Sequence, residues 1–321
     1  MTLLVPRARR ASRLLVLGAL AGSIALRGRA TGGRTQQAVV LAALALGMPH
    51  GAADTELLAS AAQGRRSRHA LLVSTYSLLA AGSTVVVRRG GRRVERAVLL
   101  ASAAHFGEGE LACWGPPPAG RARSRAGLRL LAAALTTVAL PAAVGTANRR
   151  PAEVGVHAAL SDAPPRAAGE RSGVALIRDA GTRRTVAPLA ALAGAAICGL
   201  ALSGDREAAA DSGLLGSLAL LAPPSTAFAA YFGGWHAMRH TARVVDALVA
   251  DGSLPAQRSL PRAVAVLGRR SAWAAGVGLI GAGALAAADP EHASDNAFAA
   301  VLGLTVPHMS TVALELTRRG R

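Results

Sequence analysis

Repeated apolar runs of about 20 residues, the length of helix that crosses a bilayer, most restrict how this chain can fold. They fall near 14–31, 36–58, 69–87, 94–113, 126–146, 185–203, 212–232 running on into an apolar helix that continues to about Ala250, 263–288 and 296–316. In hydrocarbon the backbone N–H and C=O groups of a segment must be satisfied internally, so such runs are helical. The pattern predicts an all-α, polytopic transmembrane bundle of about eight or nine helices, with residues 1–321 forming a single integral-membrane helical domain. A multi-pass chain of this kind is expected in the cell membrane. The first run, which follows Arg7–Arg13, reads as a transmembrane helix rather than a cleaved signal because so many spans come after it. One long polar connection lies near 147–184, where Pro164-Pro165, Arg166 and Glu170-Arg171 predict a surface loop.

Composition removes one function class. The formal charge is +18, and every basic residue is arginine. A nucleic-acid surface would interleave aromatic side chains with the basic ones, yet aromatics are only 3% of the chain. The arginines cluster between apolar runs, as at Arg65/Arg66/Arg68, Arg88/Arg89/Arg92/Arg93 and Arg269/Arg270. There they suit membrane-lipid phosphates. They flank both ends of the runs and so define no orientation by the excess of cytoplasmic positive charge. No nucleic acid and no obligate protein partner is inferred. Cys113 and Cys198 lie far apart in or beside apolar runs, a pattern that fits neither a disulfide framework nor a zinc–thiolate site.

Histidines carry the chemical signal. Five of the eight, His50, His105, His236, His240 and His308, fall inside apolar runs. His69, His157 and His292 sit at span ends or in loops beside charged residues and read as solvated or interfacial. A polar ring in an apolar helix costs free energy unless it is hydrogen-bonded or coordinated. His236 and His240 are four residues apart, so their rings share one helix face. Their helix is expected to begin after Pro223-Pro224 with Ser225 or Thr226 as its cap. Asp54 follows His50 by four residues and Glu108 follows His105 by three. Each is placed to accept the second N–H of a metal-bound imidazole, which fixes the ring and raises its basicity. Arg239 lies on another face, with Asp54, Glu108 or a headgroup phosphate as its expected partners.

Imidazole suits Zn, Cu or Fe, and softness alone does not choose among them. Two haem ligands at His236 and His240 would crowd one face of a single helix. A membrane di-iron desaturase would need many more histidines, including a paired His-His box, and the chain has no such box. A single non-haem iron held by three or four neutral imidazoles, with one or two positions left for dioxygen, fits the residues. A histidine-ligated membrane haem or metal protein, or a transporter whose ions cross at the cluster, stands as the alternative.

Four short motifs resemble those of one family. Gly47-Met48-Pro49-His50-Gly51-Ala52-Ala53-Asp54 is similar to the Gly-x-Pro-His-Gly-x-x-Asp motif of the Brp/Blh family, the bacterial and archaeal membrane β-carotene 15,15'-dioxygenases. His105-Phe106-Gly107-Glu108 resembles its His-Phe-Gly-Glu box, His236-Ala237-Met238-Arg239-His240 its His-x-x-Arg-His box, and Pro307-His308 its C-terminal Pro-His. All four occur in the family's order. Ala104 stands where an aromatic often precedes the second box, and Glu110 where Asp is commoner. The resemblance implies an Fe(2+)-dependent dioxygenase that takes O2 and an apolar carotenoid from the bilayer and splits the central double bond into two molecules of all-trans-retinal. It implies His50, His105, His236 and His240 as iron ligands, with His308 near the site as a fifth candidate or an outer partner. Phe106, Tyr231, Phe232 and Trp235 flank these histidines in sequence and are expected along the substrate slot.

Overall fold

The computed structural model describes residues 4–26, 38–39, 42–43, 47, 50–115, 122–148, 172–257, 259–288 and 293–319. Among them every regular element is helical: α1 (Val5–Ala25), α2 (Asp54–Ala62), α3 (Arg66–Arg89), α4 (Gly91–Trp114), α5 (Ala122–Ala134), α6 (Leu140–Asn148), α7 (Gly173–Arg178), α8 (Ala180–Leu202), α9 (Arg206–Leu221), α10 (Pro224–Phe228), α11 (Ala237–Ala250), α12 (Leu260–Ala288) and α13 (Ala293–Arg319). Two widened π-helical segments, Leu135–Ala139 and Ala229–His236, join α5 to α6 and α10 to α11.

Four stretches among the described residues are long and apolar enough to cross a membrane: Arg66–Arg89, Arg125–Asn148, Ala180–Leu202 and Leu260–Gly281. The expected count of eight or nine spans goes beyond these four. α1 carries Arg7, Arg9, Arg10 and Arg13, and α4 carries His105, Glu108 and Glu110, which lower their apolar character. Most of the predicted loop, residues 149–171, lies outside the described residues, as do His157 and His292. The end of that loop is helical instead. Ser172 caps α7 by accepting from the Ala175 amide, and Asp179 caps α8 by accepting from the Gly181 amide at 2.9 Å.

Local chemistry explains how the elements around the histidines start and bend. α10 begins with Pro224 in its first turn and has no side-chain cap, so Ser225 and Thr226 lie inside the helix rather than at its boundary. Proline at the first position needs no cap for its own nitrogen, and its fixed φ starts the turn. The N-terminus of α1 is capped from afar, since Asp246 on α11 accepts from the Leu4 amide at 2.9 Å and the Val5 amide at 3.3 Å. That carboxylate meets the positive end of the α1 dipole. The π turn at Leu135–Ala139 precedes Pro141, whose missing N–H interrupts the ordinary i→i−4 ladder. Buried Leu4, Ala8, Ala53, Leu57, Val245 and Leu248 form a core that joins α1, α2 and α11.

α13 packs along α3 at very short range. A β-carbon built at Gly303 would lie 2.8 Å from the Thr84 backbone nitrogen and 2.9 Å from its Cα. Small residues allow such approach between membrane helices. Gly303→Val is expected to force the two helices apart and cost about 1–3 kcal/mol, the usual penalty of overpacking. Thermal unfolding in detergent would show it as a lowered Tm, and an unchanged Tm would contradict this packing.

Candidate metal centre

The structure brings the five span histidines together. His105 comes from α4, His236 from the end of the second π segment, His240 from α11 and His308 from α13, while His50 lies just before α2. All five are buried. Four rings follow one another around a closed circuit, with centroids 5.0 Å apart for His50–His236, 5.5 Å for His236–His105, 4.9 Å for His105–His308 and 5.3 Å for His308–His50. His240 reaches all four, at 5.4 Å from His50, 6.4 Å from His105, 5.7 Å from His236 and 4.9 Å from His308.

The ring nitrogens test whether this cluster fits a metal. Nε2 of His105, His236 and His308 and both nitrogens of His240 are buried with no hydrogen-bond partner among the described residues. Buried polar atoms are normally satisfied, and five orphaned imidazole nitrogens in one cluster match the donor set of a transition-metal ion. Ligating atoms of His50, His236 and His308 lie within 4.8 Å of one another, and so do those of Asp54, His240 and His308. In the second set the Asp54 carboxylate is already engaged. It accepts from His308 Nδ1 at 2.9 Å and from the Tyr76 hydroxyl at 3.0 Å. The imidazole set is therefore the better cradle, with Asp54 behind it.

Two outer partners differ from the sequence expectation. Asp54 serves His308, 254 residues away, rather than His50. The His50 ring instead donates from Nδ1 to the Gly47 carbonyl. Glu108 is exposed and lies outside the cluster. Glu108 falls on the stripe of Leu100, Ala104 and Ala112, spaced four residues apart, that α4 turns outward. The buried carboxylate of α4 is Glu110, 2% exposed.

Glu110 belongs to a second polar cluster beside the histidines. Arg239 Nη1 donates to Glu110 Oε2 at 2.8 Å and to Asp211 Oδ2 at 2.9 Å, and Arg239 Nε donates to Ser12 Oγ at 2.9 Å. Neither Asp54, Glu108 nor the surface receives this guanidinium, which is 2% exposed. Spacing along the chain gave no sign of the partnership with Asp211, which comes from another helix. The available signal was chemical: one arginine and two carboxylates inside or at the edge of apolar runs must find one another. Tyr76 was missed for the same reason, being a polar ring within an otherwise apolar helix.

The aromatics divide. Phe106 lies 5.3 Å from His105 and 4.6 Å from His236, with Tyr231 5.4 Å beyond it. Phe232 meets His50 edge-on at 5.5 Å, and Phe228 stacks on Phe232 at 5.3 Å. Trp235 is placed differently. It is fully buried under Arg239, whose Cζ sits 3.5 Å from the indole centroid, and its Nε1 donates to Glu110 Oε1 at 2.8 Å.

A family model described as beta-carotene 15,15'-dioxygenase matches residues 41–314, a range that contains all five clustered histidines. No curated protein and no solved structure matches the chain.

Proposed function

The chain belongs to the beta-carotene 15,15'-dioxygenase family, and from that membership we propose that it is a multi-pass membrane enzyme cleaving β-carotene, or a related carotenoid, at the central double bond into two molecules of all-trans-retinal. The observation that carries this reading is the convergence of five buried imidazoles, with their orphaned nitrogens, in a chain of that family. His50, His105, His236 and His240 would hold Fe(2+), and His308 presents Nε2 to the same centre while Asp54 holds its Nδ1. Bound iron supplies the activation of O2 for addition across a carbon–carbon double bond. Neutral imidazoles leave the charge of the ion uncompensated, which favours that chemistry.

The protein's own share is position and dryness. Phe106 and Phe232 stand against different histidines and offer apolar faces on which a linear polyene can lie beside the centre. Phe228 continues the row from Phe232 and is 36% exposed, which suits a path from the bilayer. Tyr231, buried behind Phe106 and 6.1 Å from His236, helps to close the site against water. The membrane setting rests on the four long apolar helices, from which the substrate would be drawn. Five rings with neighbours only 4.9–6.4 Å apart leave no gap for a planar macrocycle, so the geometry favours a bare ion over haem.

Expression in a β-carotene-accumulating host tests the proposal. Colour loss with formation of retinal is expected, together with about one iron per purified chain and no Soret band. A folded, membrane-inserted protein that leaves the pigment intact and holds no iron would refute it. A Soret band would assign the histidines to haem.

A further inference from the structure

The polar cluster around Arg239 has no part in the chemistry above, yet it is built at high cost. Arg239, Glu110 and Asp211 are all buried, at 2%, 2% and 0% exposure. Desolvating such charges is costly unless they are paired, and both carboxylates meet Arg239, although its Nη2 has no partner among the described residues. Asp211 on α9 also accepts from Arg13 Nε on α1 at 2.6 Å and from Trp114 Nε1 at 3.0 Å. Arg9 reaches the same carboxylate at 3.8 Å and pairs with Glu207 at 2.8 Å. Three arginines thus meet three carboxylates. It ties α1, α4, α9 and α11 at one point.

That point lies directly beside the histidines. Arg239 stands between His236 and His240 in the chain, and Glu110 is five residues past His105 on α4. The Glu110–Arg239 pair and the His105–His240 contact therefore both bridge α4 and α11, one through a charged clamp and the other through the rings. The clamp acts at the junction where the widened π segment Ala229–His236 passes directly into α11. A guanidinium whose Nη1 is shared by two carboxylates, whose Nε is held by Ser12 and whose plane lies on an indole face fixes the rotation of that helix start. We propose that Arg239, with Glu110 and Asp211, is a positioning device that sets the separation between His105 and the His236/His240 pair, and so sets the metal affinity of the centre. This rests on the reading of the histidines as a metal site.

The test uses the full chain in detergent, freed of metal and titrated with Co(II), whose ligand-field absorption reports binding independently of carotene cleavage. Arg239→Lys keeps the charge but loses the Nε contact to Ser12 and the planar face on Trp235, and the double variant Arg239→Gln/Glu110→Gln removes one charge of each sign. Both are expected to bind Co(II) about 10–100-fold more weakly, the usual effect of removing a partner that orients metal ligands. The metal-free Arg239→Lys protein should stay monodisperse, with a Tm close to that of the parent. Parental Co(II) affinity in both variants would overturn the proposal. So would loss of folded protein in Arg239→Lys, because the cluster would then be supporting the bundle rather than the ligands. If the unmodified chain itself failed to bind Co(II), the metal reading would fall first.

Discussion

Replacing any one of His50, His105, His236 or His240 by alanine is expected to abolish carotene cleavage in a pigment-accumulating host, whereas His69→Ala and His292→Ala leave bleaching intact. The reason for the first half is geometric. Each of the four rings contacts at least two others of the five-histidine cluster, and all are buried. Removing one opens the cradle and leaves the remaining orphaned nitrogens with fewer shared donors. Loss of a ligand to a metal that carries the reaction acts on every turnover, so no partial rate is expected from the rest of the set. His69 lies on α3, apart from the ring contacts that define the centre, and His292 reads from the sequence as an interfacial residue. Pigment extraction and chromatography for retinal would measure all six variants against the parent. Continued bleaching by the four cluster variants, at parental membrane levels, would remove the histidines from the reaction.

The second large effect is expected at a residue that touches no metal. Asp54→Ala leaves His308 Nδ1 without its acceptor, although the two now sit 2.9 Å apart. The ring would be free to turn, and its Nε2 would no longer be aimed at the other four. Metal affinity should fall about 10–100-fold, as it does when the outer partner of a ligating histidine is removed. Asp54→Asn retains an acceptor oxygen and should fall less. Tyr76→Phe removes only the 3.0 Å hydrogen bond behind the carboxylate and should have the smallest effect of the three. Iron content after dialysis against a graded chelator series would rank them. An order in which Tyr76→Phe is worst, or a set of three parental affinities, would contradict the chain from Tyr76 through Asp54 to His308. This series is independent of the Arg239 variants, because the two polar groups share no residue.

Some of this was legible in the chain itself. His236 and His240 had to share a helix face because their spacing is one helical turn, and no tertiary knowledge alters that. The apolar runs around all five histidines marked them as rings in need of partners. The cap expected from Ser225 or Thr226 was misread because a proline start competes with a hydroxyl cap for the same boundary, and Pro224 occupies the first turn. The inward charges of α1 and α4 make those helices look less apolar by residue composition than the long lipid-type helices. Composition cannot tell an arginine that faces a buried carboxylate from one that faces a phosphate.

The sequence by itself determined the helical class, the identity of the unusual buried rings and the resemblance of their flanking motifs, because these depend on residues within a few positions of one another. Only the tertiary structure decided which partner each polar group takes. Asp54 lies one turn from His50 yet serves a histidine at the far end of the chain. Arg239 passes over its predicted partners for Glu110 and Asp211. Helical spacing sets the direction in which a side chain leaves its own axis, but the neighbour it meets depends on how separate helices are rotated and packed. In a buried, low-dielectric interior that meeting determines whether a charge or an imidazole nitrogen is satisfied.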